Sequence, residues 1–147
     1  MNDAIFSQID FGPLKEFIDI DDITDISYTN GGQLWLKSLS KGVYRVERPE
    51  INNALIEKLA FQCSNVMGKT FNMAHPFLDA ESTELRLNFV HDSIATNGIA
   101  LVIRKTPVKI RLNREKLLNE EYVSADLLDF LLNCVQGHAN IIVSGET

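Results

Sequence analysis

The sequence predicts an α+β fold in which a mixed or antiparallel sheet is flanked by helices, followed by the first helix and strand of an α/β domain. Three observations carry this. Ile23-Thr24-Asp25-Ile26-Ser27-Tyr28 alternates apolar and polar residues, and Asn30-Gly31-Gly32 turns it into Leu34-Trp35-Leu36. An apolar stripe at helical spacing, Ile51 to Met67, separates this meander from a second set of alternating residues. Near the end, the apolar run Ile141-Ile142-Val143 follows an amphipathic helix and leads into Ser144-Gly145. A short continuous apolar run ended by a turn residue is the pattern of a buried parallel strand.

Taken in order, residues 1–20 hold Ile5, Ile9, Leu14, Phe17 and Ile18, interrupted by Gly12-Pro13. This predicts a short helix, a break, and a second helix opened by the proline. Asp19, Asp21 and Asp22 form an acidic turn that reads as solvation and capping. After the first two strands, Val43 to Val46 forms a third. Pro49-Glu50 then opens the central helix, with Leu55, Ile56, Leu59, Ala60 and Cys63 in its stripe and Gly68 at its C-terminal cap. Phe71 to Ser82 reads as a loop. Leu85, Leu87 and Phe89 alternate with Arg86 and Asn88 in a further strand, and Asn97-Gly98 turns into the strand Ile99 to Lys105. From Pro107 the character changes. The sequence divides into a domain over 1–107, a charged linker over 108–123, and the start of a second domain over 124–147. There Ser124 caps a helix, Ala125 to Gln136, with Leu127, Leu128, Leu131, Leu132 and Val135 on its apolar face and Gly137 closing it.

Composition excludes several functions. The chain has 147 residues, and its net charge of −6 with scattered Lys and Arg argues against a nucleic-acid surface. The exception is a small cluster, Arg104, Lys105, Lys109, Arg111 and Arg114, which reads either as a solvated linker or as a local anion site. Cys63 and Cys134 form no CxxC pair and read as reduced, buried cytosolic thiols. With the three histidines they show no metal-ligand spacing, so no metal site is expected. No apolar run approaches the ~18–20 residues of a spanning helix.

The ordered motifs carry a resemblance. Asp22-Ile23-Thr24-Asp25-Ile26, the Asn30-Gly31-Gly32 turn, Leu34-Trp35, Pro76-x-Leu78-Asp79, Glu84-Leu85-Arg86, Ile103-Arg104-Lys105 and Asn140 to Thr147 follow one another as in the secretion (traffic) ATPases. These are the hexameric motors of type IV secretion and conjugation, type II secretion and type IV pili. The short region before the meander resembles the type IV secretion branch or its tight-adherence relatives. His91-Asp92 stands where the family often has prolines, and Glu-x-Arg replaces the commoner Gly-x-Arg.

The resemblance implies a PAS-like N-terminal domain over a RecA-like ATPase domain, with ATP and Mg2+ bound between the two in the full-length parent. No nucleotide is expected to be tightly held by this chain alone. It also implies a homo-hexamer, partners among inner-membrane secretion or pilus machinery, and a cytoplasmic location at the inner face of the membrane. On motif position, Arg86 and Arg104 would reach the phosphates as catalytic residues, with Lys105 beside them as a nucleotide-binding residue.

Gly145 would be the first glycine of a G-x-x-x-x-G-K-[ST] loop, with Glu146 and Thr147 offering backbone N–H groups to phosphate. The second glycine, the lysine and the hydroxyl residue would lie beyond Thr147, so 1–147 alone is expected not to hydrolyse ATP. The plainer reading of Gly145 is a turn glycine after a strand. Arg104 also reads as a strand-end residue reaching for water, and Arg86 as a solvent-facing one. Asp79 reads as ordering a loop rather than as a catalytic carboxylate, and Trp35 as packing. A non-enzymatic PAS-like interaction or ligand-binding module is the alternative for the whole chain.

Overall fold

A computed structural model describes residues 8–106 and 113–145, in two compact units, 1–108 and 109–147. In the first unit the elements are α1 (Leu14–Ile18), β1 (Ile23–Thr29), β2 (Gln33–Ser38), β3 (Gly42–Val46), α2 (Asn53–Met67), β4 (Phe77–Glu81), β5 (Leu85–Val90) and β6 (Ala100–Lys105). The six strands form one sheet in the order β3-β2-β1-β6-β5-β4, and every neighbouring pair is antiparallel.

Period-two alternation sorts the side chains onto two faces. Ile26, Tyr28, Leu34, Leu36, Leu78, Ala80, Leu87, Phe89, Leu101 and Ile103 are buried, together with Leu14 and Phe17 of α1 and Ile56, Leu59, Ala60 and Cys63 of α2. The other face carries the polar half of each strand and is exposed. A register irregularity between Ile23 and Asp25 lets Ile23 join the buried side while Asp25 and Ser27 stay on the open one, the usual consequence of a bulge.

The central helix begins later than the sequence suggested. Pro49-Glu50 lies in a turn, with the Ile51 N–H donating to Arg48 O at 2.9 Å. Asn52 is the cap, its side chain accepting from Leu55 N at 3.2 Å. Ile51 and Ile56 then occupy the two positions of a hydrophobic staple, and both are buried. Gly68 ends the helix at φ 61°, with Lys69 N–H donating back to Ser64 O. The expected loop over 71–82 contains a strand instead, β4. Its apolar signal is weak in the sequence because only Leu78 and Ala80 are buried, while Asp79 and Glu81 are exposed as befits an edge strand.

The second unit holds α3 (Arg114–Asn119) and α4 (Ala125–Gln136). The expected linker therefore contains a helix, capped by Asn113, whose side chain accepts from Lys116 N at 2.8 Å. Ser124 caps α4 as expected, and Arg114 ties the two helices through a 2.6 Å ion pair with Asp129. Two expectations fail here. Leu127, Leu131, Leu132 and Val135 are exposed rather than buried, and residues 140–145 form no strand, with Ile142 and Val143 at 94% and 92% exposure. A buried parallel strand exists only through neighbouring strands, and the described residues of this unit contain none. Residues 1–7, where the expected N-terminal helix begins, residues 107–112, which hold Lys109 and Arg111 of the basic cluster and the start of the expected linker, and residues 146–147 lie outside the described residues. Among the described residues no helix is long and apolar enough to cross a membrane.

Candidate functional site

Strand register creates the site. Arg86 lies between the buried Leu85 and Leu87, and Arg104 follows the buried Ile103, so alternation turns both arginines to the open face. In the β5–β6 pairing they are direct partners across the ladder. Each is flanked on its far side by a carboxylate. Glu81 on β4 pairs with Arg86, and Asp25 on β1 pairs with Arg104. Lys37 on β2 stands opposite Asp25. The row therefore runs Glu81, Arg86, Arg104, Asp25, Lys37 across five strands.

The ion pairs are close. Arg86 donates to Glu81 Oε1 from Nη2 at 2.7 Å and from Nε at 2.9 Å; Arg104 donates from Nε to Asp25 Oδ1 at 3.0 Å. Like charges directly opposite on a ladder repel, and the outer carboxylates offset this. With the two arginine side chains 66% and 72% exposed, water screens all of these charges, and each pair contributes at most about 1 kcal/mol.

Asp25 is the better anchored carboxylate. Partial burial works to raise its pKa, but the Thr24 hydroxyl, donating at 2.7 Å, and the Arg104 guanidinium outweigh this and hold it below the usual carboxylate value. Next to this row, Asp79 accepts from Asn88 Nδ2 at 2.7 Å. Asp79, Glu81, Arg86, Asn88, Val102 and Arg104 border a shallow hollow of about 490 Å³. Two guanidiniums side by side, with an amide nearby, are suited to a tetrahedral oxyanion.

Of the residues singled out in the sequence, Arg86 and Arg104 are brought together. Lys105 is not with them: it pairs with Leu85 across the ladder, and its Nζ donates to Ile20 O at 2.6 Å, away from the open face. Asp79 orders two strands rather than a loop, and Trp35 is 37% exposed on the open face rather than packed inside. Gly145 lies in the second unit, outside any strand, and Glu146 and Thr147 lie outside the described residues. Asp25, Glu81 and Asn88 were not singled out for this site. The alternation phase of Asp25 and Asn88 marks them as outward-facing, whereas Glu81 falls in the stretch read as a loop, and only the register shows whom all three meet. No group of three or more metal-ligating side chains occurs among the described residues.

The first unit thus defines an α+β domain with one sheet face buried under helices and the other presenting paired arginines. No family model matches the chain. The fold is shared with the VirB11 ATPase of the Brucella suis type IV secretion system, solved in complex with sulphate. That structure matches at TM-score 0.66 and 16% identity, over 86% of this chain and 42% of that one. An uncharacterized protein of Bacillus anthracis is 29% identical over 127 residues, 86% of this chain and 28% of its own length. The chain spans less than half the length of either protein.

Proposed function

We propose that this chain is the N-terminal, nucleotide-sensing and oligomerisation part of a secretion ATPase, with the beginning of its motor domain. The parent would be a hexamer at the inner face of the membrane that uses ATP and Mg2+ to drive type IV-like or type II-like secretion or pilus assembly through inner-membrane partners. The observation that carries the reading is the Arg86–Arg104 pair on adjoining strands of an exposed sheet face. The fold shared with a type IV secretion ATPase solved with sulphate, a tetrahedral dianion, supports it.

In this mechanism the N-terminal domain adds positive charge to a nucleotide held elsewhere. ATP hydrolysis builds negative charge on phosphate oxygens, and catalysis is largely positioning and electrostatic stabilisation. Arginines on the sheet of a separate domain engage only when that domain closes, which links hydrolysis to motion. Gly145, Glu146 and Thr147 would begin the phosphate loop. The sheet's mixed charges, with Glu81 and Asp25 beside the arginines, suit a small anion better than a nucleic-acid backbone.

The test is the reading frame past Thr147. Codons for x-x-Gly-Lys-Ser/Thr support the motor, and a frame without that lysine removes it. The alternative, a non-enzymatic PAS-like ligand-binding module, has one observation in its favour. A hollow of about 390 Å³ beside α2 is lined by Glu57, Phe61, Phe71, His91 and Asp92. That reading would stand if the frame test failed and a small molecule bound there.

A further inference from the structure

Both arginines of the pair are already held by carboxylates of the same sheet. Glu81 takes two of the five N–H donors of Arg86, from Nε and Nη2, and Asp25 takes the Nε donor of Arg104. An arriving phosphate meets guanidiniums whose charge is partly neutralised, with two negative groups flanking its path. Building on the arginine-pair reading above, we propose that Asp25 and Glu81 are internal counter-ions that compete with phosphate for Arg104 and Arg86. They set both the affinity and the footprint of the site.

The footprint follows from the register. Neighbouring strands lie about 4.8 Å apart, so the positive zone is one strand spacing wide. The carboxylates begin one strand further out on either side. A single phosphoryl group fits between them. An extended polyanion lying across the strands would place its next charges over Glu81 or Asp25.

The two carboxylates differ in how firmly they hold. Asp25 sits on the interior strand β1, is 17% exposed and is fixed by the Thr24 hydroxyl, so it persists as a permanent counter-ion. Glu81 sits on the edge strand β4 and is 44% exposed, so it is the one an incoming anion displaces. Removing Glu81 therefore frees Arg86 without disturbing the interior of the sheet.

The experiment measures binding of pyrophosphate, and of long-chain polyphosphate, to the 147-residue chain by calorimetry at low salt. The proteins are wild type, Glu81→Gln, Asp25→Asn, the D25N/E81Q double variant, R86A/R104A, and Glu84→Gln as a control for net charge outside the row. From the modest strength of exposed pairs, each carboxylate substitution should tighten pyrophosphate binding roughly threefold and the double variant about tenfold. Polyphosphate should gain more, since its flanking charges no longer meet a carboxylate. R86A/R104A should lose binding, and Glu84→Gln should change little.

Glu81→Gln carries the test alone if Asp25→Asn unfolds, as Trp35 fluorescence would show. If R86A/R104A loses binding but the carboxylate variants bind equally or more weakly, the counter-ion inference is overturned and the arginine site stands. If wild-type binding survives R86A/R104A, the arginine site itself is wrong and the inference falls with it. Absence of binding in every protein, the double variant included, also overturns the inference.

Discussion

Gly31 and Gly42 both adopt φ 71°, yet they sit in different surroundings. A Cβ on Gly42 would meet nothing within 4 Å, whereas a Cβ on Gly31 would lie 2.6 Å from the Asn97 carbonyl oxygen. Substituting alanine at each site therefore separates the cost of the left-handed backbone, roughly 1–2 kcal/mol at both positions, from the cost of the close approach. Relief to an ordinary carbon–oxygen contact of about 3.3 Å requires a shift of about 0.7 Å in backbone, not in a flexible side-chain tip. That shift also strains the hydrogen bond in which Asn97 Nδ2 donates to Asn30 Oδ1 at 2.6 Å.

Overpacking costs about 1–3 kcal/mol and a weakened hydrogen bond about 1 kcal/mol. Gly31→Ala should therefore be less stable than Gly42→Ala by roughly 2–3 kcal/mol, with Tm lower by about 10–20 °C. The chain's single tryptophan, Trp35, lies on β2, so its fluorescence in urea reports on the first unit. Equal destabilisation of the two variants, within about 0.5 kcal/mol, would refute the claimed contact between the β1–β2 turn and the segment leading to β6.

Further predictions concern order, thiols and pH. No described residue of 113–145 is buried, so amides there should exchange well before those of β1, β5 and β6; equal protection in hydrogen-exchange mass spectrometry would contradict this. Burial pushes the Cys63 thiol up to about 12, while Cys134 is half-buried. A thiol reagent at pH 8 should thus label Cys134 quickly and Cys63 only on unfolding, and rapid labelling of both would count against the packing of α2. The pKa of Asp25 is held below its unfolded value of 3.8. Its stabilising contribution is therefore complete above that value and is lost as pH falls below it towards the folded pKa. Asp25→Asn should remove part of the acid sensitivity in that window. Unchanged acid titration of stability in the variant would show that the Thr24 and Arg104 contacts do not hold in solution.

How far the sequence revealed this architecture depended on how strongly each element is marked locally. β2 and β5 alternate cleanly, and β1 does from Asp25 onward, because one face of each is buried. The stripe of α2 and its Gly68 cap are visible for the same reason. β4 was hidden since an edge strand with two acidic residues loses most of its apolar signal. α3 was hidden within a charged stretch, its cap Asn113 and its pair with Asp129 being contacts that periodicity does not report. The terminal apolar run shows the opposite error. Ile141-Ile142-Val143 has the composition of a strand, but a strand needs a partner to bond with, and the described residues of its own unit supply none. The arginines could be found as residues but not as a pair. Motif position singled out Arg86 and Arg104, while their pairing, and the parts of Asp25 and Glu81, follow from register across four strands and 79 residues of separation between Asp25 and Arg104.

The most direct test of the central claim is the steady-state ATPase rate of the full-length parent carrying Arg104→Ala, beside Arg45→Ala. Arg45 lies opposite Trp35 on the edge strand β3, away from the charged row. If the arginine pair stabilises charge developing on the phosphates, Arg104→Ala should lower kcat by about a hundredfold or more, while Arg45→Ala stays close to wild type. Hydrolysis at the wild-type rate by Arg104→Ala would contradict the account.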